Sequence, residues 1–388
     1  MSRDLVCFSH LRWDFVYQRP NHLMARAARD RRVFFVEEPR LEAFAHPRVE
    51  SVRRQGLTVI TPVLAEAMDT ASMEAELADL MTGVFRRERI ARPTLWYYTP
   101  MALPWTRHLP RSGAIYDSMD YLPGFRGAPA GLLDLEAELL ASADAVFCGG
   151  ASLHERMRRR HPESHCFPSS VDVEHFSTAR KPRRDPDDQR AAPRPRIGYA
   201  GVIDERLDLP LIDGLARARP AWQIILLGPT VKVDPREVPS HANIHALGMK
   251  AYAELPGYLG GWDVGWMPFA RNEATRYISP TKTPEYLAAG LPVVSTSITD
   301  VVEPYGRHKL VAIADSVEAT VAAVETALAG RGFDQSRVDA FLAERSWDRT
   351  WSAMAAILEG LDPQDRSGTA PAAAELQTSA AARSAEAA

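Results

Sequence analysis

Lysine is nearly missing from this chain. Of 46 Lys and Arg side chains only five are Lys, namely Lys181, Lys232, Lys250, Lys282 and Lys309. Cysteine is scarce as well. Cys7, Cys148 and Cys166 are an odd, scattered set that forms neither a metal-ligand pair nor a disulfide framework, so a reducing, cytoplasmic setting is expected. There is no run of about eighteen apolar residues of the kind that crosses a bilayer. The opening residues, Met1–Phe8, pass straight into an apolar strand and lack the core of a signal peptide. Charge of one sign is not in excess. A formal net charge of -4 argues against a general polyanion binder, and no nucleic-acid partner is expected.

What remains is a 388-residue chain with 46% hydrophobic and 25% charged content, the size of two globular domains with extras. Its basic side chains cluster locally, at Arg29, Arg31 and Arg32, at Arg86, Arg87 and Arg89, and at Arg156, Arg158, Arg159 and Arg160. Each cluster falls near the end of an expected helix, where cations suit the dipole. The alternative is a face that makes peripheral contact with anionic lipid of the inner membrane.

Short apolar strands alternate with helices along the first half. Strands are expected at Leu5–Phe8, Val33–Val36, Thr58–Ile60, Thr94–Tyr98, Ala114–Tyr116 and Ala145–Cys148, and helices at His22–Ala28, Ser72–Arg89 and Leu132–Ala141. That pattern implies a parallel sheet covered on both faces. It breaks near Pro168–Asp172. Residues 173–195 read as a hinge and an exposed linker rich in Arg, Asp and Pro. The alternation restarts with strands at Arg196–Ala200, Gln223–Leu227, Ile244–Leu247 and Val264–Met267, and helices at Pro210–Ala218 and Val317–Leu328. The expected organisation is two doubly wound, Rossmann-like domains, 1–172 and 196–345, followed by a helix at 346–361 and a disordered tail at 362–388. Ligands in such sheets bind beyond the carboxyl ends of strands, so polar residues after strands are the site candidates.

The strongest such stretch is Ser279–Thr296, S-P-T-K-T-P-E-Y-L-A-A-G-L-P-V-V-S-T. Ser279 suits a helix N-cap, Pro280 the first helical position and Gly290 the end; a later start, with Thr283 as cap and Pro284 first, also fits. Lys282 and Glu285 are three apart and share one helical face. A cation beside a helix N-terminus and a carboxylate one turn later suit a nucleoside diphosphate, with Lys on phosphate and Glu on the ribose hydroxyls. The plain alternative is an amphipathic helix with a solvated charge pair. Retention of Lys here, in a chain that otherwise uses Arg, favours the first reading, since a compact ammonium and a planar guanidinium are not interchangeable at a crowded phosphate.

Three pieces occur in order: Gly198–Arg206, a strand entering a glycine turn with a basic residue after it; Leu255–Leu259 with Trp262–Phe269; and Ser279–Thr296. Together with the two-domain alternation they resemble a glycosyltransferase of the GT-B fold, most nearly the large retaining family that uses nucleotide-sugar donors. The resemblance covers roughly Leu5 to Leu361, and Ala343–Trp351 resembles the family's final helices, one of which crosses back to the N-terminal domain. It implies two domains facing across a cleft and a donor on the C-terminal one. Arg206 and Lys282 would hold the diphosphate with the backbone amides of Thr281 and Lys282, Glu285 would take the ribose, and Gly201 would allow close backbone approach. Ser279 belongs to the same donor set. One departure stands out. The family carries a second Glu eight residues before the ribose Glu, and this chain has Tyr277 there. Asn272 and Glu273 are the nearby candidates for touching the sugar, and the departure puts the retaining outcome in question.

The acceptor side would then lie on the first domain. The loop after the first strand, Ser9–Asp14, offers His10, Arg12, Trp13 and Asp14, with the Trp13 ring for stacking and Arg12 or Asp14 for hydroxyls. His10 and Asp14 serve equally as helix caps. Asp117 and Asp120 follow another strand. Both could orient or deprotonate an acceptor hydroxyl, and Asp117 is a candidate catalytic residue beside Lys282 and Arg206; the alternative is that Asp117 caps a turn and Asp120 faces water. A metal is not expected. Two carboxylates without further ligands make a poor site, and a Lys/Arg phosphate site does without a cation. No cofactor beyond the substrate is implied. The expected activity is hexosyl transfer to a saccharide or lipid-linked acceptor in bacterial envelope or exopolysaccharide synthesis. A nucleotide-sugar epimerase on the same architecture and a non-catalytic nucleotide- or sugar-binding homologue are the alternatives.

Overall fold

The computed structural model describes residues 4–182 and 184–361; the expected tail at 362–388 lies outside them. The first sheet contains β1 (Leu5–Ser9), β2 (Val33–Glu37), β3 (Arg40–Glu42), β4 (Arg48–Arg54), β5 (Leu57–Ala65), β6 (Thr94–Tyr97), β7 (Gly113–Ser118), β8 (Ala145–Cys148) and β9 (Ser164–Cys166). Its order is β3-β5-β2-β1-β6-β7-β8-β9, with β4 added to β5. The second sheet contains β10 (Arg196–Ala200), β11 (Gln223–Leu227), β12 (Ile244–Gly248), β13 (Val264–Met267), β14 (Val293–Ser295) and β15 (Val311–Ile313), in the order β12-β11-β10-β13-β14-β15. Both are doubly wound. Strands such as β1, β2, β7, β8 and β11 are buried at every position, which is why they read as continuous apolar runs and not as alternation.

One strand departs from the all-parallel expectation. β4 runs antiparallel to β5, from Arg48 opposite Val63 to Arg54 opposite Leu57. The two intervening residues, Gln55 and Gly56, both hold positive φ, 46° and 86°. A two-residue hairpin turn of that hand matches the twist of the flanking strands.

The expected linker is exposed at Lys181, Pro182, Arg184, Asp187, Asp188, Arg190, Ala191, Pro193 and Arg194, but it is also anchored in the second domain. Phe176, Ala179 and Ala192 pack into the core of the second domain. Gln189 is 0% exposed; its Nε2 donates to the Tyr258 carbonyl at 3.0 Å and its Oε1 accepts from Trp262 Nε1 at 2.8 Å. Arg196 reaches back to Asp185 at 2.7 Å. The composition conceals that anchoring because a few polar side chains here are satisfied inside the fold and do not face water.

The final helix, Trp347–Gly360, is capped by Ser346 Oγ, which accepts from the Arg349 N–H at 3.2 Å. Its Trp347, Trp351, Met354 and Leu358 share one face and join a core of the first domain with Leu23, Met24 and Ala27. His22 stacks on Trp347 at 4.6 Å, and Arg26 and Arg29 both reach Asp348, at 3.0 and 2.7 Å. The last described helix therefore packs on the first domain. The basic clusters are partly spent in the same way: Arg32 pairs with Asp4, Arg31 lies over Trp351, Arg156 and Arg160 converge on Glu136, and Arg158 and Arg159 on Glu155.

Candidate active site

A cavity of about 910 Å³ opens between the carboxyl ends of the two sheets. Its second-domain wall is built around the end of β10. A Cβ on Gly201 would stand 2.1 Å from Lys282 Cε and 2.6 Å from Nζ. The absent side chain is thus the space through which Lys282 crosses the strand end. Beside it, Gly228 follows β11 with φ 135°, and a Cβ there would lie 2.0 Å from the Gly201 carbonyl oxygen. Two neighbouring parallel strands therefore close on glycine against each other.

The helix that carries Lys282 spans Lys282–Ala288 with Thr281 as its cap. It starts between the two expected positions. Tyr286 fixes it against β10 by accepting the Ala200 N–H at 2.6 Å. Lys282 lies over Tyr199 at 5.7 Å; burial lowers its pKa and Glu285 opposes that shift. Burial pushes Glu285 up to about 7, against Lys282 and a hydrogen bond from Thr281. Arg206 is held by Asp204, whose carboxylate receives Nε at 3.0 Å and Nη2 at 2.6 Å. Asp204 was not among the sequence candidates. Its signal is an Asp two residues before an Arg whose own N–H it accepts at 3.0 Å, a turn that recurs at Asp234 and Arg236.

From the first domain, His10, Arg12, Trp13, Asp14 and Asp120 line the cavity. Burial holds His10 down at about 4, with Lys232 adding to the effect, so its imidazole is neutral at pH 7. Its Nδ1 is buried and without a hydrogen-bond partner among the described residues. Asp120 faces Arg206 and Lys282 from across the cleft; burial raises its pKa and Arg206 opposes. Glu38, also missed, lines the same wall with its pKa raised by burial.

Several expectations need correction. Asp117 does not reach the cavity. It is 0% exposed, and Arg19 holds it through Nε at 3.1 Å and Nη2 at 2.9 Å. A carboxylate sealed in an ion pair beneath the floor cannot take a proton from an acceptor. Trp13 is 5% exposed and packs edge-on against Phe35, so it has no free face for a sugar; the more exposed Phe15 of the same loop does. Arg12 is committed to the end of β2, donating to Glu37 Oε2 at 3.1 Å and to the Glu38 carbonyl at 2.6 Å. Asp14 sits at the rim, paired with Arg54 at 2.9 Å. Ser279 is an interdomain contact, not a cavity residue: its carbonyl accepts from Ser169 Oγ at 2.5 Å. Asn272 and Glu273 line a separate shallow pocket with Glu205, and Asn272 Nδ2 donates to the Glu205 carbonyl at 3.0 Å. Tyr277 packs against Tyr121 at 5.3 Å. Among the described residues no three His, Cys, Asp or Glu side chains are grouped to hold a metal ion.

Solved structures of similar shape share this architecture at low identity. Sucrose-phosphate synthase from Thermosynechococcus elongatus superposes with a TM-score of 0.67 at 14% identity, over 93% of this chain and 99% of that one. HepE from Anabaena, in complex with UDP and glucose, gives 0.65 at 14% identity over 92% and 100%. This is the GT-B fold. Within the GT-B chain, residues 194–330 match the family model of glycosyl transferases group 1, so the stretch that holds Gly201, Arg206, Lys282 and Glu285 is the matched one. A curated relative, the putative teichuronic acid biosynthesis glycosyltransferase TuaH of Bacillus subtilis (strain 168), is 28% identical over 170 residues, 42% of the GT-B chain. The match spans 43% of that relative's length. A trehalose-6-phosphate protein from E. coli, bound with UDP-2-fluoro glucose, superposes with a TM-score of 0.68 at 11% identity over 93% and 99%. No helix among the described residues is long and apolar enough to cross a membrane.

Proposed function

We propose that this chain is a glycosyltransferase. In this reading it moves a sugar from a nucleoside-diphosphate donor on the second domain to a saccharide or lipid-linked acceptor on the first, in bacterial envelope or exopolysaccharide assembly. The observation that carries it is Lys282 folded across Gly201, with Arg206 and Glu285 on the same cavity wall and Asp120 opposite. The family match over 194–330 and the relative named for teichuronic acid biosynthesis support it.

Transfer builds negative charge on the departing diphosphate. Lys282 and Arg206 meet that charge without reorganising, because Asp204 and the strand ends already hold them. Asp204 leaves Arg206 Nη1 without a hydrogen-bond partner among the described residues, so one edge of the guanidinium is open to a phosphate oxygen. Glu285, ionised, accepts from the ribose hydroxyls. Of the two aspartates expected to orient or deprotonate the acceptor hydroxyl, Asp120 is the one that lines the cavity. Its raised pKa makes it the stronger base for the proton that leaves the acceptor hydroxyl. Two cations at the diphosphate do the work a divalent ion would otherwise do, so we read the reaction as metal-independent. We read its stereochemical outcome as retention, on the resemblance of the motif.

Tyr277, which packs on Tyr121 where the family has a Glu, favours one rival, a binding homologue without turnover. Thermal shift across UDP-, GDP-, ADP- and TDP-sugars identifies the donor, since a ligand that binds the folded state raises its apparent stability. Release of free nucleotide that depends on added acceptor is then expected. Donor binding without acceptor-dependent release would establish the rival, and no binding to any nucleotide sugar would refute both.

A further inference from the structure

Residues 121–131, Y-L-P-G-F-R-G-A-P-A-G, follow β7 in the first domain and lie against the second. Three contacts fasten them there. Tyr121 meets Tyr277 edge to face at 5.3 Å. The Arg126 N–H donates to Glu205 Oε1 at 3.2 Å. A Cβ on Gly124 would stand 2.8 Å from the Glu273 carbonyl oxygen, so the two backbones are pressed together. Between these anchors Phe125 lines the cavity, with Arg206 Cζ and Lys232 Nζ each 5.5 Å from its ring centroid. Lys232 holds φ 60°, a strained backbone for a side chain of its size, of the kind that persists where surrounding structure enforces it.

Arg206, Lys232 and Lys282 all line one cavity, and unliganded cations repel one another. Asp204 restrains Arg206 from one side. The negative face of an aromatic ring attracts both an ammonium and a guanidinium, without the competing charge that a second carboxylate would offer to a phosphate.

We propose that residues 121–131 are a strap from the first domain, and that Phe125 is a positioning residue that holds Arg206 and Lys232 where they receive the donor's diphosphate. This rests on the reading of the cleft as a nucleotide-sugar site. The ring belongs to one domain and the cations to the other, so the arrangement exists only when the domains are together. The strap thereby couples closure to readiness for the leaving group. It also adds Lys232 to the diphosphate site.

Calorimetric titration of the full chain with inorganic pyrophosphate, the group common to every such donor, tests this. The proteins compared are wild type and the Phe125→Ala, Phe125→Leu, Phe125→Tyr and Lys282→Ala variants. Wild type binds, and Lys282→Ala loses most of that affinity. Phe125→Ala and Phe125→Leu each weaken it by roughly three- to thirty-fold, the span of cation–π contacts, while Phe125→Tyr retains it. Amide exchange across 121–131 slows on pyrophosphate addition in wild type and less so in Phe125→Leu. The ligand-free melting midpoint stays near wild type in Phe125→Leu and Phe125→Tyr, because Phe125 is only half-buried and both retain a large side chain, so a folding defect is separated from a positioning one. Wild-type affinity in Phe125→Leu overturns the proposal and leaves the cleft reading intact. Absence of pyrophosphate binding in wild type overturns the cleft reading itself.

Discussion

Lys282 passes through the space that a side chain on residue 201 would fill, with Cε 2.1 Å from where that Cβ would stand. Residues 81 positions apart in sequence are thus one unit. The obstacle is the far end of a flexible side chain, so Gly201→Ala should displace Lys282 and leave the strand in place. We expect a melting midpoint near wild type and a fall in turnover that approaches that of Lys282→Ala, for which removal of one such stabilising group costs about 10²–10³ in rate. Steady-state kinetics alongside thermal unfolding separates the two effects; a folded Gly201→Ala enzyme with full turnover would detach Lys282 from the chemistry.

Glu285 carries a pH signature. Burial raises its carboxyl to about 7, whereas an unfolded Glu titrates near 4.3. Between these values the folded state binds the extra proton, so this group makes stability fall as pH rises through that window. Glu285→Gln should flatten that part of the stability profile in urea titrations. Nucleotide affinity should move the other way, rising with pH towards 7 as the carboxylate forms, and calorimetry on Glu285→Gln should lose that dependence.

Asp117 should behave as a structural residue. Asp117→Asn leaves the buried Arg19 guanidinium without its counter-charge, a change that commonly costs about 3–5 kcal/mol. Chemical denaturation should register that loss. If the variant were as stable as wild type and yet inactive, the carboxylate would have a catalytic task after all.

The terminal helix should matter to the first domain. Trp347 is 1% exposed and stacked on His22. Trp347→Ala should destabilise by about 3–5 kcal/mol. The loss should appear as faster amide exchange in the Arg19–Ala27 helix and not in β13 or β14.

Metal dependence gives a direct check on the diphosphate site. Turnover should survive EDTA, since Lys282 and Arg206 supply the positive charge. Loss of activity restored by a divalent ion would assign that charge to a metal.

Local pattern made much of the fold readable. The runs at Leu5, Val33, Ala145, Arg196, Gln223 and Val264 were legible because strands buried on both faces are apolar throughout. β4 was not, because Arg48–Arg54 is an exposed, charged edge whose only signal is the Gln55-Gly56 turn. The donor-side positions Gly201, Arg206, Thr281, Lys282 and Glu285 could be proposed because they fall in two short stretches that each follow a strand, and the family resemblance supplied the roles of Gly201, Arg206 and Thr281. The first-domain positions fared worse. Asp117 and Asp120 are three residues apart and chemically alike, and only the partner of each tells them apart.

The sequence by itself determined two doubly wound sheets and the positions at which their strands end in glycine and charge, because periodicity, caps and apolar runs act over a few residues. The tertiary structure alone decided which charges are spent and which are available. Arg19 silences Asp117, Asp204 steers Arg206, and Phe125 crosses from one domain to the cations of the other. Those outcomes depend on contacts between distant segments, where burial and an opposite charge within a few ångströms set what a side chain can do.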